Sequence, residues 1–270
     1  MIKLIATDLD GTFLDSKKNK PADFPEVFKE IKRRGITFAA ASGRDYNGAA
    51  MYFKDYIDDM YFICDNGASI YKKGRLISAR TMSREKYLTL LNSLYSLGIT
   101  DLLVCGVKGS YVGANSSPDY LEVMKNHYSP AKVVDRLEDI EDEIFKVSVT
   151  DLKGSGGLKE DVYLPLLNIF NNNEFTIHIS GMRFLDVMDF SADKGVGVKE
   201  LQTELGILPA ETMVFGDYYN DEPLLQSAEY AFIMDAAPRD LKEKYKYNGG
   251  DCNCGGVTKN IKEWAFDKIK

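Results

Sequence analysis

The sequence predicts an α/β protein interrupted by an α+β insertion, and three observations carry that expectation. Short apolar runs alternate with apolar stripes at helical spacing over residues 1–80 and again from residue 183 onward. Several of those runs stop abruptly at carboxylate, hydroxyl or glycine, as strands do when their ends face a ligand site. Over residues 81–182 the rhythm changes to a mixture of helices and hairpin-like strands, which marks a separate domain. The expected division is therefore a core of 1–80 and 183–270 with an insertion of 81–182.

The first element is Ile2, Leu4, Ile5 and Ala6, a nearly continuous apolar run that reads as a strand buried on both faces. It ends in Asp8-Leu9-Asp10-Gly11-Thr12. Two carboxylates separated by one residue project to the same side of extended backbone, and Gly11 lets the chain turn. One carboxylate can attack while the other handles protons, and a divalent cation such as Mg²⁺ suits the same hard oxygen donors. Alone, D-x-D-G also describes a polar turn or the opening of a calcium loop. Thr12, Phe13 and Leu14 break the calcium-loop ligand pattern, and the preceding segment reads as strand rather than helix.

Phe24, Phe28 and Ile31 then fall at helical spacing, with Gly35 as the stop. Ile36 to Ala41 is a second strand ending in Ser42-Gly43-Arg44, which delivers a hydroxyl, a flexible amide and a guanidinium to one tip: anion-binding chemistry, or an ordinary turn with Ser42 as the helix cap. Met60 to Cys64 is a third strand, followed by Asp65-Asn66-Gly67 and Lys72-Lys73-Gly74 turns between short strands. Within the insertion, Tyr87, Leu91 and Leu94 mark a helix, and Leu102–Cys105, Tyr111–Ala114, Ile144–Thr150 and Phe175–Ile179 mark strands. Leu158–Phe170 reads as a helix strained by Pro165, and Asn171-Asn172-Asn173 as a loop. Phe184 to Met188 returns to strand character, and Lys194 then opens a helix bearing Val198, Leu201 and Leu205 and capped by Gly206. An ammonium at a helix start strengthens the anion preference of the helix N-terminus. Thr212 to Phe215 is a buried strand ending in Gly216-Asp217-Tyr218-Tyr219-Asn220-Asp221, a second acidic turn directly after an apolar strand. Tyr230–Met234, Pro238–Tyr245 and Val257–Phe266 complete the chain as strand, helix and helix.

A chain of 270 residues that is 44% hydrophobic holds substantial cores. Its net charge of −7 argues against a basic nucleic-acid surface and against attraction to anionic lipid. No apolar run approaches the roughly 20 residues of a membrane helix, and the first residues meet Asp8 too soon for a signal peptide. The cytoplasm is the expected location. The four cysteines, Cys64, Cys105, Cys252 and Cys254, are too few and scattered for a disulfide framework. Cys252 and Cys254 form a C-x-C, but no second Cys or His cluster completes a zinc set.

Taken in order, strand-DLDGT, strand-SGR, insertion, Lys-Gly helix and strand-GDYYND resemble the haloacid dehalogenase superfamily, in particular the Cof-type phosphatases with a cap inserted between the second and third motifs. The likeness spans nearly the whole chain, with all motifs in the two core segments. It implies a Rossmann-like, doubly wound parallel-sheet core with an inserted α+β cap. It further implies that Asp8 is the nucleophile and forms an aspartyl phosphate, and that Asp10 gives a proton to the leaving alcohol and later takes one from water. Mg²⁺ is implied at Asp8, Asp217 and the backbone carbonyl of Asp10, with Asp221 ordering the water shell or Lys194. Ser42, Gly43, Arg44, Lys194 and Asn220 are the implied phosphate- and substrate-binding residues. Two positions depart from the family's pattern: Tyr218 replaces a small residue, and Asp235 replaces an asparagine.

The leading expectation is a Mg²⁺-dependent phosphatase of a small phosphorylated metabolite, with a sugar phosphate as the foremost class. A phosphosugar mutase would use the same nucleophile and differ in product. A non-catalytic protein that binds phosphorylated ligands is the alternative from another class, and the pair Asp8 and Asp10 argues against it, because two repelling carboxylates serve no pure binding site. His127, His178 and Arg183 carry no assigned role.

Overall fold

The computed structural model describes residues 1–125, 130–152, 156–170, 174–180 and 183–268. His127 and the Asn171-Asn172-Asn173 loop lie outside the described residues. The strands run β1 (Leu4–Thr7), β2 (Thr37–Ala41), β3 (Tyr61–Cys64), β4 (Ser69–Lys72), β5 (Arg75–Ala79), β6 (Leu102–Gly106) and β7 (Gly109–Gly113). They continue as β8 (Lys132–Val134), β9 (Ile144–Thr150), β10 (Phe175–Ser180), β11 (Phe184–Asp189), β12 (Thr212–Gly216), β13 (Tyr230–Met234) and β14 (Tyr247–Gly250). Two compact units result, one of Met1–Ser78 with Asp193–Lys270, the other of Ala79–Ala192.

The first unit holds an eight-stranded sheet in the order β14-β13-β12-β1-β2-β3-β4-β5. The strands from β14 to β3 run parallel, and β3 to β4 is antiparallel. Strand order departs in opposite directions from β1 and β12, so the boundary between them is the switch point at which α/β sheets of this kind hold their ligands. Alternation along each strand feeds both faces. Ile5, Phe38, Phe62, Phe215 and Phe232 pack under the helices Phe24–Arg33 and Gly256–Asn260, while Leu4, Ala6, Ala39, Ile63 and Val214 pack under Lys194–Leu205 and Glu222–Gln226. This explains why β1 is apolar at every core position rather than alternating.

The second unit is built on a six-stranded sheet in the order β10-β11-β9-β6-β7-β8, antiparallel except for the β7–β8 pair. One face is covered by Tyr87, Leu90, Leu91 and Leu94 of the helix Arg84–Ser96, together with Val162 and Leu166. The expected division into 1–80, 81–182 and 183–270 needs correction at both joins. β11 pairs with β9 and β10, so the chain re-enters the first unit at Asp193 rather than at 183. A buried strand has the same composition in either sheet, and its partner is a long-range fact that periodicity does not carry. Pro165 strains its helix as expected: a π-helical turn over Lys159–Tyr163 runs without a break into Leu164–Ile169, Tyr163 and Leu164 both keep helical φ/ψ, and the widened turn just before the proline is the distortion that its missing N–H and its ring impose. Among the described residues no helix is long and apolar enough to cross a membrane.

The turn after β3 fixes the geometry on which the site depends. Asp65, Asn66 and Gly67 all have positive φ, at 50°, 52° and 95°, and the turn lies against the start of the helix Lys194–Leu205. A Cβ on Gly67 would stand 2.0 Å from the Asp193 carbonyl oxygen, a backbone atom with no room to retreat. Gly67→Ala is therefore expected to lower the free energy of unfolding by roughly 3 kcal/mol or more, because it adds strain at positive φ to a backbone clash. Urea denaturation of the variant measures this, and a loss under about 1 kcal/mol would contradict the close approach.

Candidate active site

The candidate site forms where β1 and β12 end side by side. Thr7 pairs with Phe215 in parallel register, and the Asp8 amide continues the ladder by donating to the Phe215 carbonyl at 3.0 Å. The next residues on each strand therefore meet, which places the Asp8 and Asp217 carboxylates together although 209 positions separate them in the chain. Asp221 joins them, and one carboxylate oxygen from each of the three lies within 4.8 Å of the others. Gly11 is required here. Its φ is +86°, and a Cβ would lie 2.3 Å from Asp217 Oδ2.

Lys194 is the cation at the centre. It begins the helix Lys194–Leu205, whose N-cap Asp193 accepts from the Val196 amide at 2.7 Å, and its side chain is 1% exposed. Its Nζ donates to Asp8 Oδ1 at 2.7 Å and to Asp221 Oδ1 at 2.5 Å. Burial by itself favours the neutral amine, but the facing charges of Asp221 and Asp8 outweigh it and hold the ammonium well above its ordinary pKa. Asp221 has its other oxygen occupied as well, since Oδ2 accepts from the Asp217 amide at 2.9 Å and the Tyr218 amide at 3.2 Å. It acts as a bracket that fixes both Lys194 and the turn after β12.

One ammonium facing three carboxylates leaves an excess of negative charge. Burial, followed by repulsion from Asp221, raises the pKa of Asp8 well above the carboxylate range, with Lys194 only partly offsetting the rise. The same two causes, burial first, push Asp217 up to about 7, against its hydrogen bond from the Thr12 hydroxyl at 3.1 Å. A cluster of hard oxygen donors carrying uncompensated negative charge suits a divalent cation, and Asp8 and Asp217 are the members whose oxygens are not both already bound.

Asp10 stands in the opposite environment. Arg44 donates to it through Nε at 2.7 Å to Oδ2 and through Nη2 at 2.8 Å to Oδ1, and Lys18 Nζ reaches Oδ1 at 2.5 Å. Burial would raise its pKa, but these hydrogen bonds and charges prevail and bring it down to about 2. The Asp10 side chain is thus outside the acidic trio, and the Arg44 guanidinium, expected from sequence to bind an anion of the substrate, grips Asp10 and lies over the Tyr52 ring at 5.1 Å. Ser42, just past β2, is buried; its hydroxyl accepts from the Arg44 amide at 3.2 Å, and its carbonyl accepts from the Asn66 amide at 3.0 Å. Gly43 lies against the Asn66 side chain, which in turn accepts from Asn220 Nδ2 at 3.2 Å.

The structure therefore gathers Asp8, Lys194, Asp217 and Asp221 into one cluster, and sets Ser42, Gly43 and Asn220 around Asn66. Sequence reading missed three participants. Asn66 was visible only as part of an Asn-Gly turn, Thr12 only as the end of the first motif, and Lys18 carried no signal, because a lysine in a polar loop usually faces solvent.

Comparison with known proteins places this geometry. The family model described as haloacid dehalogenase-like hydrolase matches residues 5–261. The 5-amino-6-(5-phospho-D-ribitylamino)uracil phosphatase YbjI of Escherichia coli is 28% identical, over 95% of this chain and 93% of its own length. The HMP-PP phosphatase of Klebsiella pneumoniae is 24% identical over 98% of this chain and 96% of its own. Among solved structures, a Streptococcus mutans protein superposes with a TM-score of 0.87 at 23% identity, covering 98% of this chain and 99% of its own. A haloacid dehalogenase-like hydrolase from B. subtilis superposes with a TM-score of 0.84 at 21% identity, over 97% of this chain and all of its own. With the four sequence motifs closing on one switch point and the family model spanning nearly the full length, the chain belongs to the haloacid dehalogenase-like hydrolases.

Proposed function

We propose that this phosphatase hydrolyses a small phosphorylated metabolite, a sugar phosphate foremost, with Mg²⁺ and through a phosphorylated Asp8. The observation that carries the reading is the contrast between two carboxylates two residues apart: Asp8 lies in the buried cluster against Lys194, and Asp10 is held separately by Arg44 and Lys18. Separate environments for two neighbouring carboxylates suit separate chemical roles. YbjI and the HMP-PP phosphatase, named for small phosphorylated metabolites, support the substrate class, and the phosphoribityl group of the former supports a sugar-like leaving group.

In this reading Asp8 Oδ attacks phosphorus and the P–O bond to the leaving alcohol breaks, giving an acyl phosphate that water hydrolyses in a second displacement. Lys194 holds Asp8 in position and offers its charge to the phosphoryl oxygens as they gain negative character. Ser42 accepts from the Arg44 amide and so keeps its own proton for a phosphate oxygen, beside the Gly43 amide and the Asn220 side-chain amide. Asp8, Asp217 and the Asp10 carbonyl would hold Mg²⁺, which when bound neutralises negative charge shared by nucleophile and substrate. Asp10 carries the protons. Its resting carboxylate form suits the second displacement, in which it takes a proton from water; donation to a leaving alcohol uses the protonated form and is the more demanding task. Arg44 serves Asp10 rather than the phosphate. We place the reaction in the cytoplasm, in keeping with four free cysteines and no disulfide framework.

We assign substrate choice to the inserted unit, Ala79–Ala192, because every proposed catalytic group lies outside it. Exchanging that unit for its counterpart from a relative of different selectivity should carry over the relative's ranking of substrates; a folded chimera that keeps the parental ranking would refute the assignment.

Asp8→Asn keeps the shape of the side chain but removes the attacking charge. Phosphate release should fall by at least about a thousandfold with the fold retained, and near-parental turnover by the folded variant would rule out the covalent route. The metal reading gives a separate expectation in pH. Asp217 has a raised pKa, so between about pH 4 and about 7 the metal-free fold binds a proton that the unfolded chain does not. Its stability accordingly declines as pH rises through that window. A divalent cation competes with that proton, so the increase in Tm produced by Mg²⁺ should be larger at pH 8 than at pH 5. Scanning calorimetry at both pH values tests this, and an increase independent of pH would remove Asp217 from the metal site.

A further inference from the structure

The loop after the first strand contains a construction that the chemistry above does not require. Asp15 Oδ1 accepts from the Lys17 and Asn19 amides, both at 2.8 Å, and Asn19 Nδ2 donates to Asp15 Oδ2 at 3.1 Å. The Lys18 amide donates to the Asp15 carbonyl, and the Asp15 amide to the Asn19 carbonyl. Lys18 itself is held at a φ of 64°, an uncommon conformation for a residue with a side chain. From the far end of the chain, Asn253 Oδ1 accepts from the Ser16 amide at 3.0 Å. Asn253 sits between Cys252 and Cys254 in a short helical turn capped by Asp251, whose carboxylate accepts from the Asn253 amide at 2.8 Å. A loop so restrained ends with Lys18 Nζ 2.5 Å from Asp10 Oδ1.

Arg44 already supplies two hydrogen bonds to Asp10, one to each oxygen. Charge balance is met without Lys18. What Lys18 adds is direction: Arg44 approaches from the turn after β2, Lys18 from the loop after β1, and the carboxylate is fixed from two sides. We propose that Lys18 is a positioning residue of the phosphatase reaction, orienting the Asp10 carboxylate toward the leaving group, with the C-x-C turn serving as the distant anchor of its loop through Asn253. This rests on the reading of Asp10 as the proton carrier.

The experiment compares two esters, an alkyl phosphate such as glycerol phosphate, whose departure needs a proton, and 4-nitrophenyl phosphate, whose departure does not. Asp10→Asn tests the underlying reading. It should depress kcat/KM for the alkyl ester far more than for the nitrophenyl ester, and equal losses would overturn both that reading and the role of Lys18. Lys18→Met should lower kcat/KM for the alkyl ester, which reports the first displacement alone, about fivefold, the scale of a partly exposed ion pair, with kcat/KM for the nitrophenyl ester unchanged. Lys18→Arg should restore the alkyl rate. In the Asp10→Asn background, Lys18→Met should cost nothing further. If Asp10→Asn shows the leaving-group dependence while Lys18→Met lowers kcat/KM for both esters equally, raises it, changes nothing, or still adds a loss in that background, Lys18 does not act through Asp10. Asn253→Ala should reproduce a smaller version of the Lys18→Met pattern, and an unchanged alkyl rate would detach the C-x-C turn from the site.

Discussion

The contact on which this structure depends is the buried ammonium of Lys194 between Asp8 and Asp221. Removing either partner of such a buried pair leaves an uncompensated charge in a poorly solvated place, which costs more than the pair itself contributes. The surrounding architecture can be read as what is needed to bring the three groups together: a parallel β1–β12 pair, a helix starting at Lys194, and a turn after β12 bracketed by the Asp221 carboxylate. The dense packing of the Asp65–Gly67 turn against Asp193 belongs to the same requirement, because it sets where that helix begins.

Electrostatically the site is divided. The buried cluster holds more carboxylate than cation, so it favours protons or a metal ion, while Asp10 is surrounded by an arginine and a lysine and stays ionised. Two aspartates nearly adjacent in sequence are thus driven in opposite directions, Asp8 toward its protonated form by burial and Asp10 toward its ionised form by Arg44 and Lys18, without any difference in residue type. The division follows from direction alone, since one side chain turns into the sheet's end and the other toward the loops.

Much of this was legible in the chain because strand ends are where apolar runs meet charge. Asp8, Lys194, Asp217 and Asp221 were all readable, since each directly follows or opens a strongly patterned element. Arg44 was placed at the tip of β2, but its hold on Asp10 was not legible, because the sequence shows a guanidinium beside a hydroxyl and not beside a carboxylate 34 residues away. β11 was recognised as a strand and assigned to the wrong sheet, because pairing with β9 leaves no local trace. β14, Tyr-Asn-Gly-Gly, was not recognised at all, as its composition is that of a turn and only its place beside β13 makes it a strand. Lys18 and Asn66 share that fate, for their importance lies in loop conformation.

The interleaved order of the two units has a consequence for how the chain is made. β1 is made long before one of its two neighbours, β12, which begins at Thr212, and the Lys194–Asp8 contact spans 186 positions. At about 5–20 residues per second of synthesis, β1 waits on the order of ten seconds or more with one edge unpaired, while the contiguous inserted unit can complete its own sheet. Exposed edges invite pairing with other nascent chains. The β12 edge of β1 is therefore where aggregation during translation would start, and the nucleophile is the residue at its tip.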